Sequence, residues 1–364
     1  MFIQIICVSV LLVLLQFFFY KRKFHKLIFY ILPTLSICYM IYVIFHTVRE
    51  QALVNTSSPL AIRIILTTLP IMISLIGMII CLVKKYQGLE HKDPIRYIVM
   101  RQFCGFLAVM LVILSITIYT AQEYVVFFPN SSAQDSEALK AYPQFQKVSI
   151  HDQYKGWIKS EKQDDTIIVY FGGNAQNTSS TFLDFEALGV FSMLDHTSFL
   201  SVDYPSYGES EVYLSQSALF QMADDVMGYV KTTYPNKKII IIGYSIGTGI
   251  ACYAASHNDL DKFVLIAPYN NGQDLFNTYF PIFHGPLAHL IRYPLTSDVY
   301  VKQIHCDTLI LSSEADSIVS IDLTQKLIEA FDEEPNSIVY QTDSHADLIT
   351  EKKPWKAIAE FLRQ

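Results

Sequence analysis

Acidic side chains are nearly absent from the first third of this chain. Residues 1–122 hold three Asp and Glu against eleven Lys and Arg, whereas the remaining residues hold 31 against 16. The two parts therefore carry +8 and −15, which together give the chain its net −7. The shortage of basic residues in the second part excludes nucleic acid as its partner, because phosphate binding requires a basic surface. Cysteine is also sparse, with six spread as Cys7, Cys38, Cys81, Cys104, Cys252 and Cys306. No C-x-x-C pair and no Cys/His spacing suits zinc, so no metal site is expected. Cys252 and Cys306 either pair in an oxidising compartment or stay as two buried thiols, and cysteine usage leaves the compartment open. The first apolar run lacks both a positive flank before it and a small-residue cleavage site, which argues against a secretory signal.

What is abundant is hydrophobic residue, 51% of the 364 positions, with a positive mean hydropathy. That is too apolar for an ordinary soluble protein of this size. The excess falls in four runs, about 2–20, 27–45, 60–83 and 103–122, each long enough to cross a ~30 Å hydrocarbon core. A single such run reads equally well as a buried core helix. Four in succession with short polar loops predict a transmembrane helical region over 1–122. Lys21-Arg22-Lys23 and Lys26 follow the first run, and Lys84, Lys85, Lys92, Arg96 and Arg101 lie between the third and fourth. Positive loops stay cytoplasmic. The amino terminus is thus expected outside and the rest of the chain on the extracytoplasmic side of a plasma or inner membrane. Arg63 is nearly alone as a charge inside a run, which favours an anchor over a transporter or channel.

After a polar, small-residue connector at 123–147, strand-like and helix-like segments alternate. Short apolar runs at 166–171, 198–202, 238–242, 263–266 and 308–311 are separated by helical stretches at about 217–234 and 245–256. Further helices are expected at about 323–331 and 355–362. This alternation predicts an α/β domain over 148–364, with a mostly parallel sheet covered by helices on both faces. In such sheets function gathers in the loops beyond the carboxyl ends of the strands.

Four of those loops carry chemistry. Ile239–Ile242 runs into Gly243-Tyr244-Ser245-Ile246-Gly247, a strand, a tight turn and a helix start with a serine at the apex. Such a turn lifts Ser245 Oγ above the sheet edge and aims the unpaired N–H groups of the helix at developing negative charge. Gly172-Gly173-Asn174-Ala175 follows 166–171. It reads either as a plain glycine turn or as half of an oxyanion hole, with Asn174 N–H as one donor and Ile246 N–H as the other. Asp316 sits in a polar loop after 308–311, placed to orient an imidazole, with Glu314 as the competing acid. His345 follows the strand-like stretch 337–341 and precedes the terminal helix, where it can serve as general base. Asp347 either orients that loop or caps a helix.

Ser, Asp and His in that order, each after a strand, is the α/β-hydrolase order of triad members. The second part of the chain resembles the α/β-hydrolase superfamily, particularly its membrane-anchored α/β-hydrolase-domain branch, related to the serine-aminopeptidase-like hydrolases. The matching segments are Tyr170–Ala175, Val202–Ser210, Gly243–Gly247, Glu314–Val319 and Ser344–Asp347; the first 122 residues are not covered. The resemblance implies an α/β-hydrolase fold, no metal and no organic cofactor. Two departures stand out: Gly172 where the branch usually has His, and Pro205-Ser206 where it usually has Arg-Gly. Asp203 has a structural role in either case. The resemblance also implies a short cap at about 269–304, with Tyr244, Tyr269, Phe276 and Phe280 as pocket residues. An apolar cap suits acyl or lipid substrates, though core packing of a helical insertion explains the same composition.

The expected function is a membrane-anchored serine hydrolase that cleaves acyl esters or thioesters, drawing a lipid or small acyl substrate from or near the bilayer. One alternative is a serine peptidase of the aminopeptidase-like type, which would need acidic residues placed to bind a free amine. Another is a non-catalytic sensor or interaction module on a degenerate hydrolase fold.

Overall fold

The structure is a computed structural model and describes Tyr119, Gln122 and residues 126–364, apart from Lys162, Phe280 and Ile282. The four apolar runs lie outside the described residues but for Tyr119 and Gln122. Among the described residues no helix is long and apolar enough to cross a membrane. The chain divides into two units, Met1–Val125 and Val126–Gln364, and the described architecture belongs to the second.

That unit is built on one eight-stranded sheet in the order β1-β2-β4-β3-β5-β6-β7-β8. The strands are β1 (Phe145–Ile150), β2 (Tyr154–Lys159), β3 (Thr166–Phe171), β4 (Thr197–Val202), β5 (Lys238–Tyr244), β6 (Lys262–Ile266), β7 (Asp307–Ser313) and β8 (Asn336–Tyr340). β1–β2 and β2–β4 pair antiparallel, and every other pair is parallel. The parallel strands are nearly continuous β-branched and apolar runs because both their faces are covered. Every residue of β3 is buried.

Ile168, Tyr170, Ile240, Ile242, Val264 and Ile266 point to one face. There they meet Phe182 and Phe185 of α2 (Thr178–Leu188) and Trp355 and Ile358 of α10 (Lys352–Arg363). The rings of Phe185 and Trp355 pack edge to face at 4.8 Å. α4 (Gln216–Thr233) and α5 (Gly247–Ser256) cover the opposite face. α4 buries Leu219, Met222, Ala223, Val226, Met227 and Val230, the i, i+3, i+4 stripe of a helix with one apolar side. Cys252 is fully buried in α5, Cys306 is half-buried, and both thiols are free.

The connector reading of 123–147 needs correction. That stretch carries α1 (Ala133–Leu139) and the first residues of β1. Its polar residues act as caps and ties rather than as a solvated linker. Ser132 Oγ accepts from Asp135 N at 3.1 Å, Ser136 Oγ donates to Glu209, and Leu139 is fully buried.

β3 lies between β4 and β5, so the connections leaving β3 and β5 diverge to opposite faces. This is the switch point at which open α/β sheets bind ligands. Phe171 pairs with Gly243, which sets the loop after β3 and the turn after β5 side by side.

Candidate active site

The turn after β5 is held by its own backbone. Ser245 adopts φ 53°, a left-handed conformation that costs a non-glycine residue about 1–3 kcal/mol. Its N–H donates to Ile266 O at 2.9 Å, and its carbonyl accepts from Thr248 N at 2.9 Å and Thr248 Oγ1 at 2.7 Å. A β-carbon at Gly243 would lie 2.6 Å from Ala251 Cβ. One at Gly247 would lie 2.3 Å from the carbonyl oxygens of Phe171 and Gly172. Gly247 therefore lets the loop after β3 rest directly on the start of α5.

His345 Nε2 lies 2.9 Å from Ser245 Oγ, and His345 Nδ1 lies 2.7 Å from Asp316 Oδ2. The Asp316 side chain is 1% exposed, and its other oxygen accepts from Ile318 N at 2.8 Å and Val319 N at 2.9 Å. A buried carboxylate held in this way can only present Oδ2 to the imidazole, which fixes the ring and its tautomer. Glu314 is exposed. The loops carrying Asp316 and His345 are tied together by Ser313 Oγ, which donates to Asp343 O at 2.5 Å. Asp347 accepts from Ser344 N at 2.6 Å while Ser344 Oγ accepts from Asp347 N at 3.3 Å, a reciprocal pair bracketing His345.

The loop after β3 is held by side chains instead. Gly173 N–H donates to Gln176 Oε1 at 2.6 Å, Tyr170 OH donates to the same oxygen at 3.1 Å, and Tyr204 OH donates to Gly172 O at 2.6 Å. A β-carbon at Gly172 would lie 3.0 Å from Gln176 Oε1. Gln176 thus fills the space beside Gly172 and takes up the Gly173 N–H. Among the described residues no hydrogen bond takes up the backbone N–H of Asn174 or of Ile246. Asp203 is buried and accepts from Thr178 N at 2.7 Å, at the start of α2. Ser206, at the second departure, has φ 67°, a position that favours glycine.

Two of the pocket residues named from the sequence sit elsewhere. Tyr244 is 6% exposed; it packs against His345 with centroids 5.1 Å apart and donates its hydroxyl to His345 O at 3.1 Å. Its ring occupies the place a β-carbon on Gly173 would take, 2.6 Å away, so it is a prop beneath three loops rather than a lining residue. Burial pushes its hydroxyl well above the ordinary phenol range. Tyr269 is fully buried and donates to Ile246 O at 3.1 Å, beneath the elbow. Phe276, in α6 (Gly272–Tyr279), is buried against Phe283, and Phe280 lies outside the described residues. The segment at 269–304 is short, holding α6, a 3-10 turn at Gly285–Leu290 and α7 (Ser297–Tyr300). Among its described residues, Tyr279, Leu287 and Val299 are exposed large apolar side chains. Among the described residues no group of three or more His, Cys, Asp and Glu is placed to hold a metal.

The sheet order, the strained serine turn and the loops at the switch point define an α/β-hydrolase fold. A family model described as alpha/beta hydrolase fold matches residues 166–284, which include the Gly172 loop and the elbow. The second unit thus has the α/β-hydrolase fold, and its similarity to known proteins lies with that superfamily and its α/β-hydrolase-domain branch. The chain is 26% identical over 181 residues to lysophosphatidylserine lipase ABHD12 of Xenopus tropicalis, covering 44% of this chain and 45% of that protein. It is 28% identical over 192 residues to protein ABHD12B of Homo sapiens, covering 48% and 52%. The chain thus matches about half the length of these curated relatives. Among solved structures, an esterase of Pyrococcus furiosus superposes with a TM-score of 0.50 at 17% identity, covering 66% of this chain and 98% of that one. That likeness concerns the fold.

Proposed function

We propose that the chain is a membrane-anchored serine hydrolase that cleaves acyl esters, with lipids as its substrate class. The observation that carries this reading is the continuous chain from Ser245 Oγ through His345 to a buried, doubly bonded Asp316. In this arrangement His345 Nε2 takes the hydroxyl proton as Ser245 Oγ attacks the ester carbonyl. The backbone N–H groups of Asn174 and Ile246 receive the developing oxyanion. Collapse breaks the bond to the alcohol, which leaves with the proton from His345. Water, deprotonated by the same imidazole, then hydrolyses the acyl-enzyme.

The lipase named among the relatives and the exposed apolar side chains of the 269–304 segment support a lipid substrate. The four apolar runs support attachment to a bilayer, and their flanking charges support an extracytoplasmic site. A fluorophosphonate probe tests the chemistry. Labelling of the full chain that is lost in Ser245→Ala is expected, and failure of the folded wild type to label would sink the proposal. Protease accessibility of the second unit in sealed vesicles of known orientation tests the side of the membrane.

A further inference from the structure

Asn174 uses its side chain as fully as its backbone. Oδ1 accepts from Phe128 N at 2.8 Å, from Tyr207 OH at 2.9 Å and from its neighbour Ala175 N at 2.9 Å. Nδ2 donates to Val126 O at 2.5 Å. The Tyr207 hydroxyl accepts in turn from Phe128 N at 3.0 Å. Asn130 Nδ2 donates to Ala175 O at 3.2 Å, and Asn130 O accepts from Gly208 N at 2.9 Å. Three segments therefore meet on one amide: the chain entering the second unit, the loop after β3 and the loop after β4. Tyr207 is fully buried, and Phe127 is buried with its ring 4.7 Å from that of Tyr293.

An amide side chain both donates and accepts. Val126 offers a carbonyl and Phe128 an N–H. A carboxylate at 174 would face the carbonyl with a second acceptor, and an alanine would leave the Val126 carbonyl without this donor and the Phe128 N–H with the Tyr207 hydroxyl alone. We infer that the Asn174 side chain is a positioning residue for the oxyanion site. By clamping Val126 and Phe128 it fixes the loop, and with it the Asn174 N–H, against the Ser245 turn. The inference rests on the hydrolase reading and extends it: the segment 126–130, far from the triad in sequence, belongs to the site.

The test uses the full chain, a p-nitrophenyl ester as substrate and a trifluoromethyl ketone of the same acyl chain, whose adduct places an oxyanion in the hole. Fluorophosphonate labelling of the wild type but not of Ser245→Ala is established first. A failure there counts against the hydrolase reading and not against the clamp. Asn174→Ala keeps the backbone donor, so a general loss of binding is not expected. Its kcat should fall about 10- to 100-fold, less than or near the loss of a whole oxyanion donor, with KM within about twofold. Affinity for the ketone should weaken by the same factor as kcat. Tyr207→Phe should show the same signature at about 3- to 10-fold. The double variant should lose less than the product of the two, because both act on shared bonds. The inference is overturned if Asn174→Ala keeps kcat within about twofold, or if its loss falls on KM with ketone affinity unchanged. Should Asn174→Ala fail to fold, Tyr207→Phe decides by the same two readings.

Discussion

The turn after β5 and the loop after β3 face each other across the switch point, yet they are built by opposite means. The first is a backbone device. Two glycines, a left-handed serine and main-chain bonds to Ile266 and Thr248 fix it with almost no help from distant side chains. The second has little intrinsic shape and is held from outside by Gln176, Tyr170, Tyr204 and the Asn174 clamp. A structure made of backbone constraints leaves a short, rigid motif in the sequence. One made of side-chain ties can exchange its parts, provided that another side chain fills the same space. Gln176 is one such side chain, standing beside Gly172 where a β-carbon would come within 3.0 Å of it.

The largest effect should come from making the backbone device collide with the loop. In Gly247→Ala the new β-carbon meets two carbonyl oxygens at 2.3 Å, and neither belongs to a side chain that can swing away. We expect kcat for ester hydrolysis to fall about 100-fold or more as the loop donors shift. Stability should drop by about 1–3 kcal/mol in thermal or denaturant unfolding. A variant with near wild-type kcat would show that the two halves of the site are not in register contact.

A middle effect is expected from the side-chain ties. Gln176→Ala leaves the Gly173 N–H and the Tyr170 hydroxyl without their shared acceptor, and kcat should fall about 10-fold, a fraction of what a lost oxyanion donor costs. Gly172→His should be poorly tolerated while Gln176 stands 3.0 Å from the new β-carbon and better tolerated in the Gln176→Ala chain. Equal damage in both backgrounds would break the exchange argument.

The smallest effect concerns the His345 turn. The Ser344 side chain first, and its backbone N–H second, hold the Asp347 carboxyl below the usual carboxylate range. Its folded value is depressed, so its contribution to stability is present above the unfolded value of about 4 and fades as pH falls through the lower folded one. Asp347→Asn should therefore melt slightly below wild type near neutral pH and converge with it in acid. A difference independent of pH would show that the carboxylate charge plays no part in holding the turn.

Much of the architecture is legible in the sequence because parallel strands covered on both faces are continuous apolar runs. The 166–171 run coincides with β3, and β5, β6 and β7 extend their predicted runs by one to three residues. β1 and β2 leave no such trace. β1 is an edge strand with three exposed residues inside it, and β2 contains Lys155 and Gly156. Gly156 is there because a β-carbon would lie 2.2 Å from Ser201 O across the strand pair, a contact invisible without β4 in place. α2 begins with four hydroxyl residues and is announced only by its Asn177 cap, which accepts from Ser180 N at 2.9 Å. In the site, Ser245, Asp316 and His345 could be named because each stands in a loop after a strand. Gln176, the Asn174 side chain and the hydroxyl of Tyr244 could not. Their roles depend on partners from 3 to more than 100 residues away, and no local pattern marks them.

The pairing of Phe171 with Gly243 has a further consequence, for the lengths this chain can tolerate. A strand rises about 3.3 Å per residue, so one residue added within β3 or β5 would slide the Gly172 loop past Ser245 by more than a hydrogen bond's length. It would also turn every following side chain to the wrong face. The connection at 329–335, between α8 (Ile321–Ile328) and β8, is mostly exposed, and no bond of the triad crosses it. Insertions and deletions should accumulate there and spare the two strands, which act as the ruler against which the site is measured.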